Sequence, residues 1–334
     1  MAHSTTFIPD VTPEITVSIV SMNNVAYLKR CLQSLYRHHP SLAVEVIVVF
    51  YRTPADAISE VQAAFPQIQV VISPDDETRG YGENQNLGLR HGQGKYSVIL
   101  NDDIVFQDDA LRQLRDYHCQ HPEVGALLPK LLNEDGSVQI AIRGRLTPLN
   151  FVLLTLHLNP VLARVASLRP LLFDAPHHDS VEPVFAHSGT GAFFWVTSNV
   201  LRGVGYMDER YFLSPDDIDL SMRIARAGVR LMYVPHVAAI HTGSTTLSKF
   251  FSKVLPVGLY GVTEMFRTHY GWTAAVTTTG ITAAFSFASV AYWGVRWLRG
   301  DRERARTMMR GHANVARFFF ARPKSSKEIF LRSW

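Results

Sequence analysis

Tyr96-Ser97-Val98-Ile99-Leu100-Asn101-Asp102-Asp103 joins a short apolar run to a pair of acids. The run reads as a β-strand, and Asp102 and Asp103 then stand at its carboxyl end. The segments before it share the same grammar. Ile15-Thr16-Val17-Ser18-Ile19-Val20 reads as a strand, and Val44-Glu45-Val46-Ile47-Val48-Val49-Phe50 as a strand buried in the manner of a parallel sheet. Ile68 to Ile72 is a further strand. Between them, Val25 to Tyr36 places Leu28, Leu32 and Leu35 on one helical face, with Asn23 or Asn24 as N-cap. Ala55 to Phe65, Asn84 to His91 and Asp109 to His118 read as helices too. Strands alternating with helices at this spacing predict an α/β fold: a mostly parallel sheet with helices on both faces. Such sheets bind ligands at the carboxyl ends of their strands, where Asp102 and Asp103 lie.

Beyond this half the pattern changes, then resumes. Leu146 to Phe173 is rich in leucine and broken by prolines at 148, 160 and 170, too often for a membrane span. A core helix pair, a flap on the acceptor side and a membrane-contacting excursion all fit it. Ser188 to Val196 is a glycine-rich turn leading into a strand. Asp219 to Ala227 reads as a helix that Gly228 stops, and Arg230 to Val234 and Val237 to His241 as two short strands. Trp272 to Val295 is 24 residues without a charged side chain. A spanning helix, an in-plane interfacial helix pair and a soluble helical cap are all compatible with it. Trp293 and Trp297 at its basic end favour contact with a membrane interface.

The chain has 334 residues and is 47% hydrophobic, enough for a substantial core. Its net charge is +4, but the excess is local. Ten Lys and Arg fall between Arg296 and Lys327, opposed only by Asp301 and Glu303. Beside an apolar stretch, and without an aromatic-and-basic strand signature, this cluster suits anionic lipid better than nucleic acid. Two cysteines, Cys31 and Cys119, cannot build a disulfide framework and read as free thiols of a reducing compartment. Met1 to Pro13 is polar and lacks the pattern of a secretion signal.

A second acid cluster lies in Phe212-Leu213-Ser214-Pro215-Asp216-Asp217-Ile218-Asp219-Leu220. Three carboxylates within four positions repel one another unless a cation or a proton-accepting task uses them. With Asp102-Asp103 and a downstream His241, they have the makings of one metal and general-base site.

Four ordered pieces resemble the family 2 glycosyltransferases of the GT-A fold, in particular the bacterial rhamnosyltransferase-like branch that builds surface polysaccharides. They are Ser21-Met22-Asn23-Asn24 after the first strand; Arg79-Gly80-Tyr81-Gly82-Glu83-Asn84-Gln85-Asn86-Leu87-Gly88; Leu100-Asn101-Asp102-Asp103; and Gly189-Thr190-Gly191-Ala192 followed by Met207 to Phe212 and the second acid cluster. The resemblance covers about residues 15 to 246. It implies a Rossmann-like nucleotide-sugar half (14–130) and an acceptor half (131–246), after a tail (1–13) and before a C-terminal helical, membrane-associating region (247–334). It further implies a divalent cation, Mg²⁺ or Mn²⁺, held by Asp103 with His241, to neutralise the diphosphate that departs with its charge growing. Asp102 would meet the ribose or the metal's surroundings. Asp217 would be the general base, with Asp216 orienting it or the acceptor, while Asp219 caps or opens the helix. Ser21, Asn23, Arg79, Gly80, Asn86 and Gly191 would contact or frame the nucleotide-sugar. One departure stands out: relatives carry an acid just after the second strand, where this chain has Val49-Phe50-Tyr51-Arg52. Stacking of the base on Phe50 or Tyr51 is the expected replacement.

The expectation is therefore an inverting glycosyltransferase. It would move a sugar from dTDP-rhamnose or a UDP-sugar to a glycan acceptor, typically lipid-linked, at the cytoplasmic face of the inner membrane, and it is compatible with an oligomer. The rival is a catalytically inactive nucleotide-sugar-binding or scaffolding protein on the same core. A nucleotidyltransferase is disfavoured, since no glycine-rich loop with a cation follows the first strand.

Overall fold

A computed structural model describes residues 12–74, 77–165, 167, 172, 179–243, 251–321 and 324–332. Most of the expected N-terminal tail and the boundary expected at 246 lie outside the described residues, as does part of the leucine-rich middle.

The apolar runs of the first half form strands. β1 (Ile15–Ser21), β2 (Val44–Phe50), β3 (Gln69–Ile72) and β4 (Tyr96–Asn101) lie in the order β3-β2-β1-β4, all parallel. α1 (Val25–His38), α2 (Ala55–Ala64) and α3 (Tyr81–His91) connect them. In register, Ser21 lies beside Phe50 and Val20 beside Asn101, so the carboxyl ends of β1, β2 and β4 make one rim.

The second half makes the sheet mixed. β5 (Ile104–Phe106) and α4 (Ala110–Gln120) lead to β6 (Val124–Leu132), and β10 (Phe193–Thr197) inserts antiparallel between β4 and β6. β11 (Arg230–His241) runs parallel to β6, and its outer edge is shared by β5 and β8 (Val184–Ala186). β7 (Ile142–Arg143) and β9 (Ser188–Gly189) form a small separate ribbon. Three short helices, α5 (Pro148–Thr155), α6 (Asn159–Leu162) and α7 (Ser198–Gly203), precede α8 (Asp216–Arg226).

Three departures from the sequence reading have physical causes. Gly125 and Pro129 disguise β6, because both residues normally argue against a central strand. β11 is one strand, not two; its register slips between Val234 and Ala238, around Pro235. α3 and α8 begin three residues earlier than expected. At α3, Glu83 Oε2 accepts the Gly80 N–H at 2.6 Å and closes the first turn from Tyr81.

Each face of the sheet has its own core. Val17, Val48, Val98 and Trp195 pack with Leu28 and Leu32 of α1 and Leu111 and Leu114 of α4. On the other face, Ile99, Leu128 and Phe194 meet Leu89 of α3 and Leu220 and Ile224 of α8. Cys31 is buried and Cys119 exposed, and both are free thiols.

Helices Phe251–Tyr270, Trp272–Leu298 and Arg302–Ala321 and the short helix Ser326–Arg332 close the described chain. They brace the segment that leads into α8. Val257, Phe318 and Ile329 pack on Phe212. Ser326 Oγ accepts the Phe212 N–H at 3.0 Å and donates to the Arg210 carbonyl at 2.9 Å. Gly261 sits against the Ser214 backbone, where an added Cβ would come within 2.1 Å of the carbonyl oxygen. Asp219 is completely buried and bonds Arg223 Nε at 2.7 Å and His269 Nε2 at 2.7 Å. It is thus the hub joining α8 to the Phe251–Tyr270 helix, more than the helix-start residue the sequence suggested. Breaking such a buried pair costs about 3–5 kcal/mol.

Candidate active site

The rim formed by β1, β4 and β11 carries the first acid pair. Ser21 Oγ, almost fully buried at the end of β1, donates to Asp102 Oδ2 at 2.7 Å, and Asn24 Nδ2 reaches Asp102 Oδ1 at 3.4 Å. Burial dominates the Asp102 carboxyl and, with the neighbouring Asp103 charge, pushes its pKa up to about 6 against the opposing Ser21 bond. Asp103 Oδ2 accepts the Gly243 N–H at 3.2 Å. Its Oδ1 is buried with no hydrogen-bond donor and lies 3.3 Å from His241 Nε2.

The tautomer of His241 follows from its neighbours. Gln139 Nε2 donates to the His241 carbonyl at 2.7 Å and to Asn133 Oδ1 at 2.6 Å, which turns Gln139 Oε1 toward His241 Nδ1 at 2.8 Å. Nδ1 therefore carries the hydrogen, and in the neutral ring Nε2 presents a lone pair. Only a long bond of 3.3 Å from Asn101 Nδ2 reaches it. An orphan carboxylate oxygen and an imidazole lone pair facing each other at this distance suit an oxygen-preferring divalent cation, with Gln139 orienting the ring from behind. Among the described residues no group of three or more His, Cys, Asp or Glu converges. Among the described residues Asp103 and His241 are the pair that could hold a cation, one that takes its other ligands from phosphate oxygens and water.

The second acid cluster opens α8. Asp216, Asp217 and Asp219 all fall in its first turn, where free backbone N–H groups and the helix dipole favour negative charge. Asp217 is half-buried at the surface of the cleft. Its Oδ2 accepts the Gly191 N–H at 3.1 Å and its Oδ1 the Ile218 N–H at 2.8 Å. Burial raises its pKa, while those two backbone bonds and the nearby Arg143 cation oppose the rise. Asp216 is 4% exposed, and its Oδ2 has no partner. Burial first and the Asp217 charge second hold its pKa well above the usual carboxylate range.

One hydrogen-bonded path joins the two acid centres. His241 Nε2 meets Asn101 Nδ2; Asn101 Oδ1 accepts from the Tyr81 hydroxyl at 2.9 Å; that hydroxyl also lies 3.4 Å from the Gly191 carbonyl; and the Gly191 N–H binds Asp217. Gln85 Nε2 donates to the Tyr81 hydroxyl at 2.9 Å. Burial, together with the charges of Asp216, Asp217 and Asp102, pushes the Tyr81 pKa upward, so the phenol stays a donor. Such an arrangement can hold an anionic leaving group at one end and take a proton at the other.

A family model described as glycosyltransferase like family 2 matches residues 13–255, well over half of the chain. The chain belongs to glycosyltransferase family 2. Among curated relatives, the N-acetylglucosaminyl-diphospho-decaprenol L-rhamnosyltransferase of Mycobacterium tuberculosis is 27% identical over 248 residues, 69% of this chain and 76% of the relative. Rhamnosyltransferase WbbL of Escherichia coli is 26% identical over 181 residues, 52% of this chain and 65% of the relative. The mannosyltransferase PcManGT of Pyrobaculum calidifontis, solved with GDP-Man and Mn²⁺, shares the fold with a TM-score of 0.51 and 17% identity, covering 92% of this chain and 87% of its own.

In this glycosyltransferase the expected site residues fall into two groups. Ser21, Asp102, Asp103 and His241 lie in contact with one another or adjacent in sequence, and Gly191 with Asp217 beside Asp216. The others have the following surroundings. Phe50 is 1% exposed and packs in the core with Val46 and Val48, which removes it from base stacking. The Tyr51 hydroxyl accepts the Arg79 N–H at 2.9 Å. The Arg79 guanidinium lies 3.6 Å from Glu77 and 4.0 Å from Glu83. Gly80 is a close-approach residue, since a Cβ there would lie 2.7 Å from the Phe212 carbonyl oxygen. Asn86 is fully buried and uses its whole amide on Met207 and Glu209, clamping α3 to that loop. Asn23 is exposed, with a positive φ of 54°, and its N–H meets Thr53 Oγ1 at 3.0 Å. Tyr81, Asn101, Gln139 and Arg143 join the site without having been singled out as site residues. Tyr81 and Asn101 stood inside quoted motifs, whereas Gln139 and Arg143 carried no local signal.

Proposed function

We propose that this glycosyltransferase transfers one sugar, with inversion, from a nucleotide-diphosphate donor to a hydroxyl of a lipid-linked glycan at the cytoplasmic face of the membrane. The rhamnosyltransferase relatives support rhamnose as the sugar; the donor proposed is dTDP-rhamnose, with a UDP-sugar as the alternative. The observation that supports the reading is the run of contacts from His241 through Asn101, Tyr81 and Gly191 to Asp217, which links the proposed leaving-group end to the proposed proton-accepting end. The catalytic domain spans 14–246 and the membrane-associating region 247–334.

Asp217 takes the proton of the acceptor hydroxyl as its oxygen forms the new bond to the anomeric carbon and the bond to the diphosphate breaks. Its half-buried carboxylate meets the acceptor, and the Gly191 N–H fixes the oxygen that does not. Asp216, deeper and with one oxygen unpartnered, raises the basicity of the pair through like-charge repulsion. Asp103 and His241 would hold a divalent cation, which would supply positive charge against that growing on the departing diphosphate. Asp102, positioned by Ser21 and Asn24, faces the nucleotide side. Tyr81 keeps the two ends in register.

A thermal-shift series tests this with dTDP, UDP, GDP and their sugars, each with and without Mn²⁺ or Mg²⁺. A true donor at about a hundred times its Kd stabilises by about 2.7 kcal/mol. The expected result is a cation-dependent shift for one nucleotide, followed by turnover of its sugar. Absence of any shift and any turnover overturns the reading. A shift without hydrolysis or transfer instead favours a catalytically inactive nucleotide-sugar-binding protein.

A further inference from the structure

The helix Trp272–Leu298 is inside-out. Its bundle-facing side carries Thr278, Thr282, Ser286 and Ser289, all buried. Its open side carries Val276, Phe287, Tyr292, Val295 and Leu298, which are 47–77% exposed. A helix facing water shows the opposite order. Phe320 of the next helix, 70% exposed, extends the apolar face, its ring centroid 6.1 Å from that of Phe287. Cations border it: Arg296 and Arg304 stack on Trp293, and Arg302 on Trp297.

We infer that this face inserts into the headgroup boundary of an anionic phospholipid bilayer, with the Trp272–Leu298 helix lying in the membrane plane. The inference rests on the membrane-face reading above and gives it residues and an orientation. With 27 residues the helix is long enough to span. Its neighbours argue otherwise. Ser286 Oγ lies 3.3 Å from His312 Nδ1, and Gly294 faces Met309, so the Arg302–Ala321 helix runs antiparallel along it. Exposed Arg310 and Arg317 then lie level with its central turns, where a spanning pose would sink them into hydrocarbon. On its other side, Thr263 Oγ1 meets Thr279 Oγ1 at 3.0 Å, within a helix that His269 ties to Asp219. In the plane, the aromatics enter the interface, the arginines reach lipid phosphates and the catalytic domain keeps its docking.

Flotation of the full chain with phosphatidylcholine vesicles, with and without phosphatidylglycerol, tests the surface. The wild type is expected to float with the anionic vesicles. Phe287→Glu combined with Phe320→Glu is expected to weaken binding about tenfold or more at an unchanged melting temperature. No binding by the wild type, or equal binding by the variant, overturns the inference. Orientation is read from inside-out membrane vesicles of expressing cells with an impermeant maleimide. Exposed Cys119 is the reference thiol, and Arg299→Cys is expected to label from the same side. Labelling of Arg299→Cys only after detergent shows a spanning helix and overturns it. Donor hydrolysis in detergent, measured in parallel, separates a failure of this inference from a failure of the transferase reading.

Discussion

At the Asp103 end, the Ser21 and Asn24 side chains hold Asp102, and the Gly243 N–H holds one oxygen of Asp103 while the other, beside His241, has no donor. At the Asp217 end the carboxylate is held by the backbone of a helix start and by Gly191, and Asp216 lies deep with one oxygen unpartnered. The first arrangement lacks a positive charge; the second lacks a proton. On the function proposed, one fold prepares two kinds of carboxylate, one for a cation and the other for proton transfer. Asn101, Tyr81 and Gly191 lie between them, in contact with one another.

Substitutions at each end should separate these roles, and the largest effect is expected at the base. Asp217→Asn keeps the shape but accepts no proton, so kcat should fall about 10²–10⁴-fold; steady-state transfer assays at saturating donor measure it, and near-normal kcat would remove Asp217 from the chemistry. At the other end, Gln139→Ala frees the His241 ring and should weaken cation affinity about 10–100-fold while leaving kcat at saturating Mn²⁺ close to normal; a metal titration of turnover decides. The pH profile comes next. Because burial holds Asp217 and Asp216 above the usual carboxylate range, activity should be absent while the pair is protonated and should rise as pH passes the raised value. An acid limb centred near an ordinary aspartate, about 4, would contradict the buried-pair picture. The smallest effect is on stability. A group whose folded pKa is raised is a net cost above that pKa, so Asp216→Asn should stabilise the protein at neutral pH by about 1–2 kcal/mol in a melt, even as it slows turnover.

Much of this contrast was readable in the sequence, and the exceptions have specific causes. β1, β2 and β4 announce themselves through apolar runs, and the acids at Asp102-Asp103 and Asp216-Asp217 through their placement after a strand and before a helix. The face on which a residue lies in a strand buried on both sides does not show locally. Val46, Val48 and Phe50 share one face by the two-residue period, and that face is the core, so base stacking cannot use Phe50. Gln139 and Arg143 gain their surroundings only because the chain returns to them much later, Gln139 meeting His241 of β11 and Arg143 lying near Asp217 of α8. Asp219 looked like helix punctuation because His269, its partner, lies fifty residues away in another helix. The inverted helix at Trp272–Leu298 was ambiguous for a related reason: its composition is legible, but its direction relative to the Arg302–Ala321 helix is a property of packing.

The most direct test of the two-ended site is calorimetric titration of the donor nucleotide-diphosphate with Mn²⁺ into Asp217→Asn and Asp103→Asn. The account predicts a Kd within about twofold of wild type for Asp217→Asn and a loss of Mn²⁺-dependent binding for Asp103→Asn. Loss of binding in Asp217→Asn, with binding intact in Asp103→Asn, would contradict it.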